Sequence, residues 1–182
     1  MELINLSTMS KIQVKLHNYF FDKRIRQHSF AHSSIDFAKS KTVGIIFDTN
    51  ENQKAILSFA ERLKNQGKIV YLLGFVDKKI KNGNFPFKFF SKNDLNFFLI
   101  PAGKEVEQFT DRELDILINL SLKKVAALDY IAAFSKAKFR VGPVISQTHS
   151  YDLMIDTSKN NTMDNFIKAL TINLKKMSPV VQ

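Results

Sequence analysis

The sequence predicts one α/β domain with a Rossmann-like, mostly parallel sheet that carries helices on both faces. Three observations predict this class: the apolar runs are short and continuous, helical segments separate them, and a chain of 182 residues suits a single domain. Strands that alternate with helices pair in parallel, because a parallel crossover needs a connection of helical length. We therefore expect a basic helical arm and linker over residues 1–40, followed by the α/β domain over residues 41–182.

The composition limits the chemistry available to the chain. It contains no Cys, which excludes disulfides, thiol catalysis and Cys-ligated metal sites. Residues 1–10 lack the apolar core of a signal peptide, and no run of about 18 apolar residues is present to cross a membrane. We therefore expect a cytoplasmic protein without a membrane span.

The net charge of +10 is concentrated in the first hundred residues. Residues 1–40 carry 6 Lys and Arg against 3 Asp and Glu, and residues 41–100 carry 10 against 5. Such a balance favours polyanionic partners, although a lysine-rich surface also serves solubility alone.

A basic amphipathic helix is predicted over residues 11–28, since Ile12, Leu16 and Tyr19 recur at helical spacing. A linker over residues 28–41 follows it. Five cations lie around the predicted apolar stripe, and we expect them to contact a polyanion: Lys11, Lys15, Lys23, Arg24 and Arg26.

A βαβ unit is the clearest prediction. Residues 42–47 are a continuous apolar run, which is typical of a strand buried on both faces. Asn50 is expected to cap the next helix, with Gln53 completing a capping box, and Gly67 is expected to end it. A second buried strand over residues 69–75 completes the unit, whose crossover should be right-handed.

The middle of the chain is predicted as edge structure. Pro86 limits residues 85–90 to an edge strand or a bend, because proline cannot donate to a β-ladder. A short apolar run over residues 95–100 follows. The remaining predicted elements are a strand over residues 114–120, a helix over 122–136, strands over 139–141 and 153–155, and a helix that opens at Asn161.

Three stretches carry a resemblance to known families: TVGIIFD at 42–48, LDILINLSLKKVAALDYIAAFSKAKFRVG at 114–142 and YDLMID at 151–156. Together they resemble a small bacterial family of about this length whose members share only a domain-of-unknown-function label. That resemblance implies the fold and no activity. The strand, helix and AK-R-G pattern is also similar to the N-terminal half of heptosyltransferase-type glycosyltransferases, which bind a nucleotide sugar between two Rossmann-like domains. We expect no second domain here, so this similarity implies a shared βαβ pattern without transferase activity.

Polar residues follow three of the predicted strands. Asp48, Asn119 and Asp156 each fall at a strand's carboxyl end, where α/β sheets bind ligands. They are our candidates for a crevice that binds a small molecule or supplies acid and base groups. The alternative is that Asp and Asn serve there as turn formers.

Two further sets of lysines are candidate binding residues. Lys123 and Lys124 are predicted in the first turn of a helix, where cations oppose the dipole and a bound anion would remove the conflict. The loop lysines Lys78, Lys79 and Lys81, with Lys88, Phe85 and Phe87 nearby, combine charge with rings that stack on bases.

No metal or cofactor is predicted. The four histidines lack metal-ligand spacing, and the chain contains neither a dinucleotide-binding nor a P-loop glycine motif. The functional prediction is a non-enzymatic binding or accessory protein, associated with RNA or the ribosome through its basic surface. The alternative is a small enzyme or ligand-binding domain that uses the polar crevice. A protein partner or an anionic membrane surface for the N-terminal helix, and the oligomeric state, stay open.

Overall fold

A computed structural model of the chain describes residues 6–26, 35–144, 150–158 and 161–177. Its strands are β1 (Thr42–Asp48), β2 (Ile69–Val76), β3 (Lys88–Ser91), β4 (Ile116–Asn119), β5 (Phe139–Pro143) and β6 (Leu153–Ile155). Its helices are α1 (Leu6–Arg26), α2 (Gln53–Asn65), α3 (Lys104–Thr110), α4 (Ala126–Phe134) and α5 (Met163–Lys176).

These strands form one all-parallel sheet in the order β3-β2-β1-β4-β5-β6. This order is that of the doubly wound Rossmann fold, in which the chain reverses its direction of winding between β1 and β4. The Rossmann-like fold that the sequence predicts is confirmed. The edge position predicted for the strand after Pro86 is also confirmed, since β3 lies at one edge of the sheet.

Successive side chains along each central strand pack alternately into two hydrophobic cores, one on each face of the sheet. Val43, Ile45 and Phe47 point to the face that α2 and α5 cover, where they are fully buried. Ile46 and Leu117 point to the opposite face, which α3 and α4 cover. Helices therefore lie on both faces, and the continuous apolar runs reflect burial on both sides of each central strand.

Helix α1 packs on the outer side of α4. Phe21 is buried in a cluster with Tyr130 and Ala133, and its ring also contacts that of Phe134. The predicted apolar stripe is wrong, because Ile12 is exposed and the buried face is turned toward Phe21. The division of the chain near residue 40 stays a prediction.

Several predicted boundaries are wrong, each for a local reason. Asn52 caps α2 by accepting from the amide of Ala55, whereas Asn50 belongs to the preceding turn. Helix α4 starts at Ala126, four residues later than the predicted start. The sequence pattern does not predict helix α3, since its seven residues are too few to show a clear period. Thr162, rather than Asn161, caps the last helix.

Asp115 joins the amino-terminal ends of three strands. Its carboxylate accepts from the amides of Lys41 at 2.7 Å and Thr42 at 3.0 Å, and from Nζ of Lys138 at 2.8 Å. Partial burial opposes ionisation, but these hydrogen bonds outweigh it and hold the pKa of Asp115 well below its usual range.

We expect Asp115→Asn to lower the free energy of unfolding by about 1.5–3 kcal/mol at pH 7, as for hydrogen bonds to a charged group. The folded-state pKa is depressed, so the stabilisation is full above the unfolded pKa of about 3.9 and is lost as the pH falls through the folded pKa. Urea denaturation at pH 7, and over a series from about pH 5 down to about pH 2, measures both effects. The control is Asp111→Asn, which removes an exposed ion pair with Lys136. An unchanged difference at low pH would contradict this assignment.

Candidate functional site

The reversal point of the sheet brings two of the three predicted crevice residues together. Asp48 ends β1 and Asn119 ends the adjacent β4, whose register pairs Ile46 with Asn119. By strand alternation both side chains point to the face that α3 and α4 cover. Asp156 follows β6, two strands away from β4, so strand spacing places it roughly 10 Å from Asn119. Asp48 and Asn119 are therefore on adjacent strands, and the shared crevice with Asp156 stays a prediction.

The carboxylate of Asp48 is used in its own turn. Its Oδ1 accepts from the backbone amide of Asn50 at 2.9 Å and from the Asn50 side chain at 2.8 Å. The amide of Asp48 donates to Oγ of the buried Ser121 at 3.2 Å. Asp48 thus forms a turn, which is the alternative to a ligand-binding role that the sequence left open. Ser121 connects the end of β1 to the loop after β4.

Glu51 is a second link between these loops. Its Oε1 accepts from the amide of Leu122 at 2.8 Å. Burial raises the pKa of Glu51, and the neighbouring Asp48 adds to the rise, whereas the Leu122 amide and Lys123 oppose it. Sequence reasoning missed Glu51 because it lies in a turn, where an acid is ordinary.

Asn119 begins a buried hydrogen-bonded chain. Its Nδ2 donates to the hydroxyl of Tyr151 at 2.6 Å, and that hydroxyl donates to Oδ1 of Asp129 at 2.8 Å. Asn119 and Asp129 are each 1% exposed. Asp129 lies in the first turn of α4, where the helix dipole favours a carboxylate. This chain ties the ends of β4 and α4 to the segment before β6.

Two further features surround the hydrogen bonds that link Asn119, Tyr151 and Asp129. Tyr151 packs over Gly142 of β5, where a methyl group on the glycine would overlap the ring. The Oδ1 of Asn119 has no hydrogen-bond partner among the residues that the structure describes. The hydrogen bonds from Asn119 through Tyr151 to Asp129 are shielded from solvent and hold β4, α4 and the segment before β6 together.

Lys123 and Lys124 lie outside the helix in which they were predicted. Both are exposed in the loop before α4, in which Val125 occupies the N-cap position. They lie just before the N-cap of α4, and the anion site predicted for them stays a prediction. Lys124 does influence His17, whose pKa is lowered by burial and by this lysine, against a hydrogen bond to the carbonyl of Phe98.

Helix α1 carries an exposed row of side chains at four-residue intervals: Lys11, Lys15, Tyr19 and Lys23. Successive members are about 6 Å apart along the axis. None of the three lysines forms an ion pair with a described residue. The side chains of Arg24 and Arg26 lie outside the described part of the chain. We call these four residues the α1 row.

Many other lysines are neutralised by carboxylates. Ion pairs hold Lys64 to Glu61, Lys88 to Glu105, Lys92 to Asp77, Lys136 to Asp111 and Lys138 to Asp115. In contrast, Lys78, Lys79 and Lys81 are exposed and form no such pair within the described residues. Unpaired lysines are thus present on α1 and in the loop after β2, and also elsewhere on the surface, as on α5.

Ring contacts give the direction of α1. The His17 ring lies 6.4 Å from that of Tyr130, and the Phe21 ring lies 5.8 Å from that of Phe134. Helix α1 therefore runs in the same direction as α4. Lys11 and Lys15 accordingly lie toward the amino-terminal end of α4, which is the carboxyl edge of the sheet.

The two phenylalanines predicted to stack on bases, Phe85 and Phe87, differ in their exposure. Phe87 is 9% exposed and its ring packs 4.9 Å from that of Phe47, so it belongs to the core. Phe85 is half-buried and lines a cleft of about 840 Å³ beside β3, together with Lys81 and Lys104. Of the two predicted rings, only Phe85 is therefore placed to reach a ligand.

The chain belongs to DUF6913, a family of unknown function, whose family model matches residues 13–177. No curated protein and no solved structure matches it. The similarity to the N-terminal half of heptosyltransferases stays a prediction. Among the described residues, no helix is long and apolar enough to cross a membrane, and no group of three or more His, Asp or Glu side chains is placed to hold a metal ion. His28, His32 and His149 lie outside those residues.

We expect Tyr151→Phe to lower the free energy of unfolding by about 1–3 kcal/mol, because the buried amide of Asn119 loses the acceptor to which it donates. Urea denaturation with both proteins at the same pH measures the change. Tyr71→Phe is the matched control, since it keeps a half-buried ring that the Arg112 guanidinium covers. Equal losses in the two variants would show that the hydroxyl of Tyr151 has no special role.

Proposed function

We propose that this member of a family of unknown function is a non-enzymatic protein that binds nucleic acid. Its ligand in the cell is RNA. The observation that carries the proposal is the α1 row, with three exposed lysines that have no described acidic partner. A repeat of about 6 Å along the helix is close to the distance between successive phosphates of a nucleic acid strand. Phosphate contacts of this kind supply affinity without reading sequence.

The surrounding charge supports the same proposal. Asp22 is the one acidic residue within Leu6–Arg26. The unpaired Lys78, Lys79 and Lys81 lie at the carboxyl edge, toward which Lys11 and Lys15 also extend. Neutralised lysines contribute little to a long-range field, whereas unpaired ones add to it and speed the approach of a polyanion.

The predicted acid and base groups support a non-enzymatic role. Asp48 is hydrogen-bonded within its own turn, and the chain from Asn119 through Tyr151 to Asp129 is buried. A general base must reach a substrate proton, and these groups are committed to bonds that order the fold.

A small-molecule site at the reversal point is the second candidate. It is favoured by the buried Oδ1 of Asn119, which has no described partner, since an unpaired buried acceptor costs stability unless a donor completes it. Native mass spectrometry of the purified protein tests it. A stoichiometric adduct that is absent from Asn119→Ala would favour this candidate over the first.

The salt dependence of RNA binding tests the first candidate. We expect the affinity for a labelled single-stranded RNA, measured by fluorescence anisotropy, to fall steeply with salt. Changing Lys11, Lys15 and Lys23 together to Gln should lower the slope of log K against log salt by about 2. Each phosphate that a lysine neutralises on a single strand adds about 0.7 to that slope, and three lysines are removed.

The matched control changes three exposed lysines of α5 to Gln: Lys168, Lys175 and Lys176. It alters the net charge equally, so the affinity should fall much less than in the α1 variant if the site is local. Equal losses in the two variants, or no binding at about 50 mM salt, would overturn the proposal.

A further inference from the structure

A tight turn before α3 holds a phenylalanine out in solvent. Oδ1 of Asn96 accepts from the amides of Phe98 at 2.9 Å and Ile100 at 3.1 Å, and its backbone amide donates to the carbonyl of Ile100 at 3.0 Å. The turn is thus closed by its own hydrogen bonds. At its tip, Phe97 is 54% exposed.

The backbone of this turn is strained. Leu99 has a φ of 56°, and it is the one non-glycine residue with positive φ in the part of the chain that the structure describes. A side chain with a Cβ disfavours this left-handed conformation, and such strain often marks functional positions. Here the strained turn leaves a large apolar ring in water instead of burying it.

Helix α1 contacts this turn through a hydrogen bond and a ring contact. Nδ1 of His17 donates to the carbonyl of Phe98 at 2.9 Å, which requires the proton on Nδ1. The Phe20 ring lies 4.6 Å from the Phe98 ring. The turn and the helix therefore present one continuous surface.

Four rings form a row across this surface. Tyr19 contacts Phe20 at 5.4 Å, and Phe98 contacts Phe97 at 5.6 Å, so the inner pair joins two outer rings. The outer rings are the exposed ones, with Tyr19 at 61% and Phe97 at 54%. Tyr19 is itself a member of the α1 row, one helical turn from Lys15 and from Lys23.

We propose that Tyr19 and Phe97 stack on the bases of single-stranded nucleic acid while the lysines of the α1 row hold its phosphates. This inference rests on the proposed function and adds a preference for single strands over duplexes. Aromatic rings beside a basic track are the combination that single-strand binders use, because every base has a face that stacks. The unpaired lysines on both sides of Tyr19 match a polyanion and disfavour an apolar protein segment.

The test compares a labelled single-stranded 20-mer of uridine with a duplex RNA of equal length, at one salt concentration, by fluorescence anisotropy. Phe97→Ala and Tyr19→Ala should each weaken single-strand binding by about fivefold or more and change duplex binding little. Phe97→Tyr should bind as the parent does, since it keeps a stacking ring. Ile172→Ala, an exposed residue of α5, is the matched control and should have no effect.

The slope of log K against log salt distinguishes base stacking from the proposed phosphate binding on which it rests. The aromatic variants should keep the parent slope, because they remove no phosphate contact. Polyanion binding that is equal for single strands and duplexes, and indifferent to Phe97→Ala and Tyr19→Ala, would overturn the stacking role and leave the proposed function standing. Absence of binding to either RNA would overturn both. Thermal denaturation of each variant should match the parent, since both rings are exposed.

Discussion

Parallel pairing of β1 with both β2 and β4 is the constraint on which the rest of the molecule depends. Because every strand runs the same way, the carboxyl ends meet at one edge, and each crossover must pass over a face of the sheet. Two buried faces then require continuous apolar strands, and residues such as Ile45 and Ile46 fill opposite cores. The same geometry directs the loops after β1, β2 and β4 to one edge, where Lys78, Lys79 and Lys81 and the reversal point all lie.

The reversal point is the usual ligand site of such sheets, and here polar side chains form hydrogen bonds between the loops that surround it. Ser121 accepts from the amide of Asp48, Glu51 accepts from the amide of Leu122, and Asn119 starts the buried chain to Tyr151. These bonds cross between neighbouring loops, so they stabilise the edge as a unit. The exposed surface beside it, on α1 and on the turn before α3, is where charge and aromatic rings stay free of such bonds.

The sequence predicts the sheet well and the surface poorly, for physical reasons. Continuous apolar runs such as residues 42–47 report burial directly, so the central strands and the edge position of β3 follow from pattern and from Pro86. The row of rings from Tyr19 to Phe97 does not follow from the pattern, because it joins residues that are far apart in the sequence. The buried face of α1 is also hard to predict, because it includes His17. A histidine reads as polar in the sequence pattern, and its hydrogen bond to the carbonyl of Phe98 is visible only in the structure.

Amide chemical shifts of ¹⁵N-labelled protein, titrated with a single-stranded oligonucleotide at low salt, test directly whether α1 and the turn before α3 bind nucleic acid. We expect the shifts to concentrate in α1 and residues 96–100, with smaller changes in the loop of residues 77–84, and added salt to reverse them. Shifts centred on residues 48–52 and 119–125 at the reversal point, or an unchanged spectrum, would contradict it.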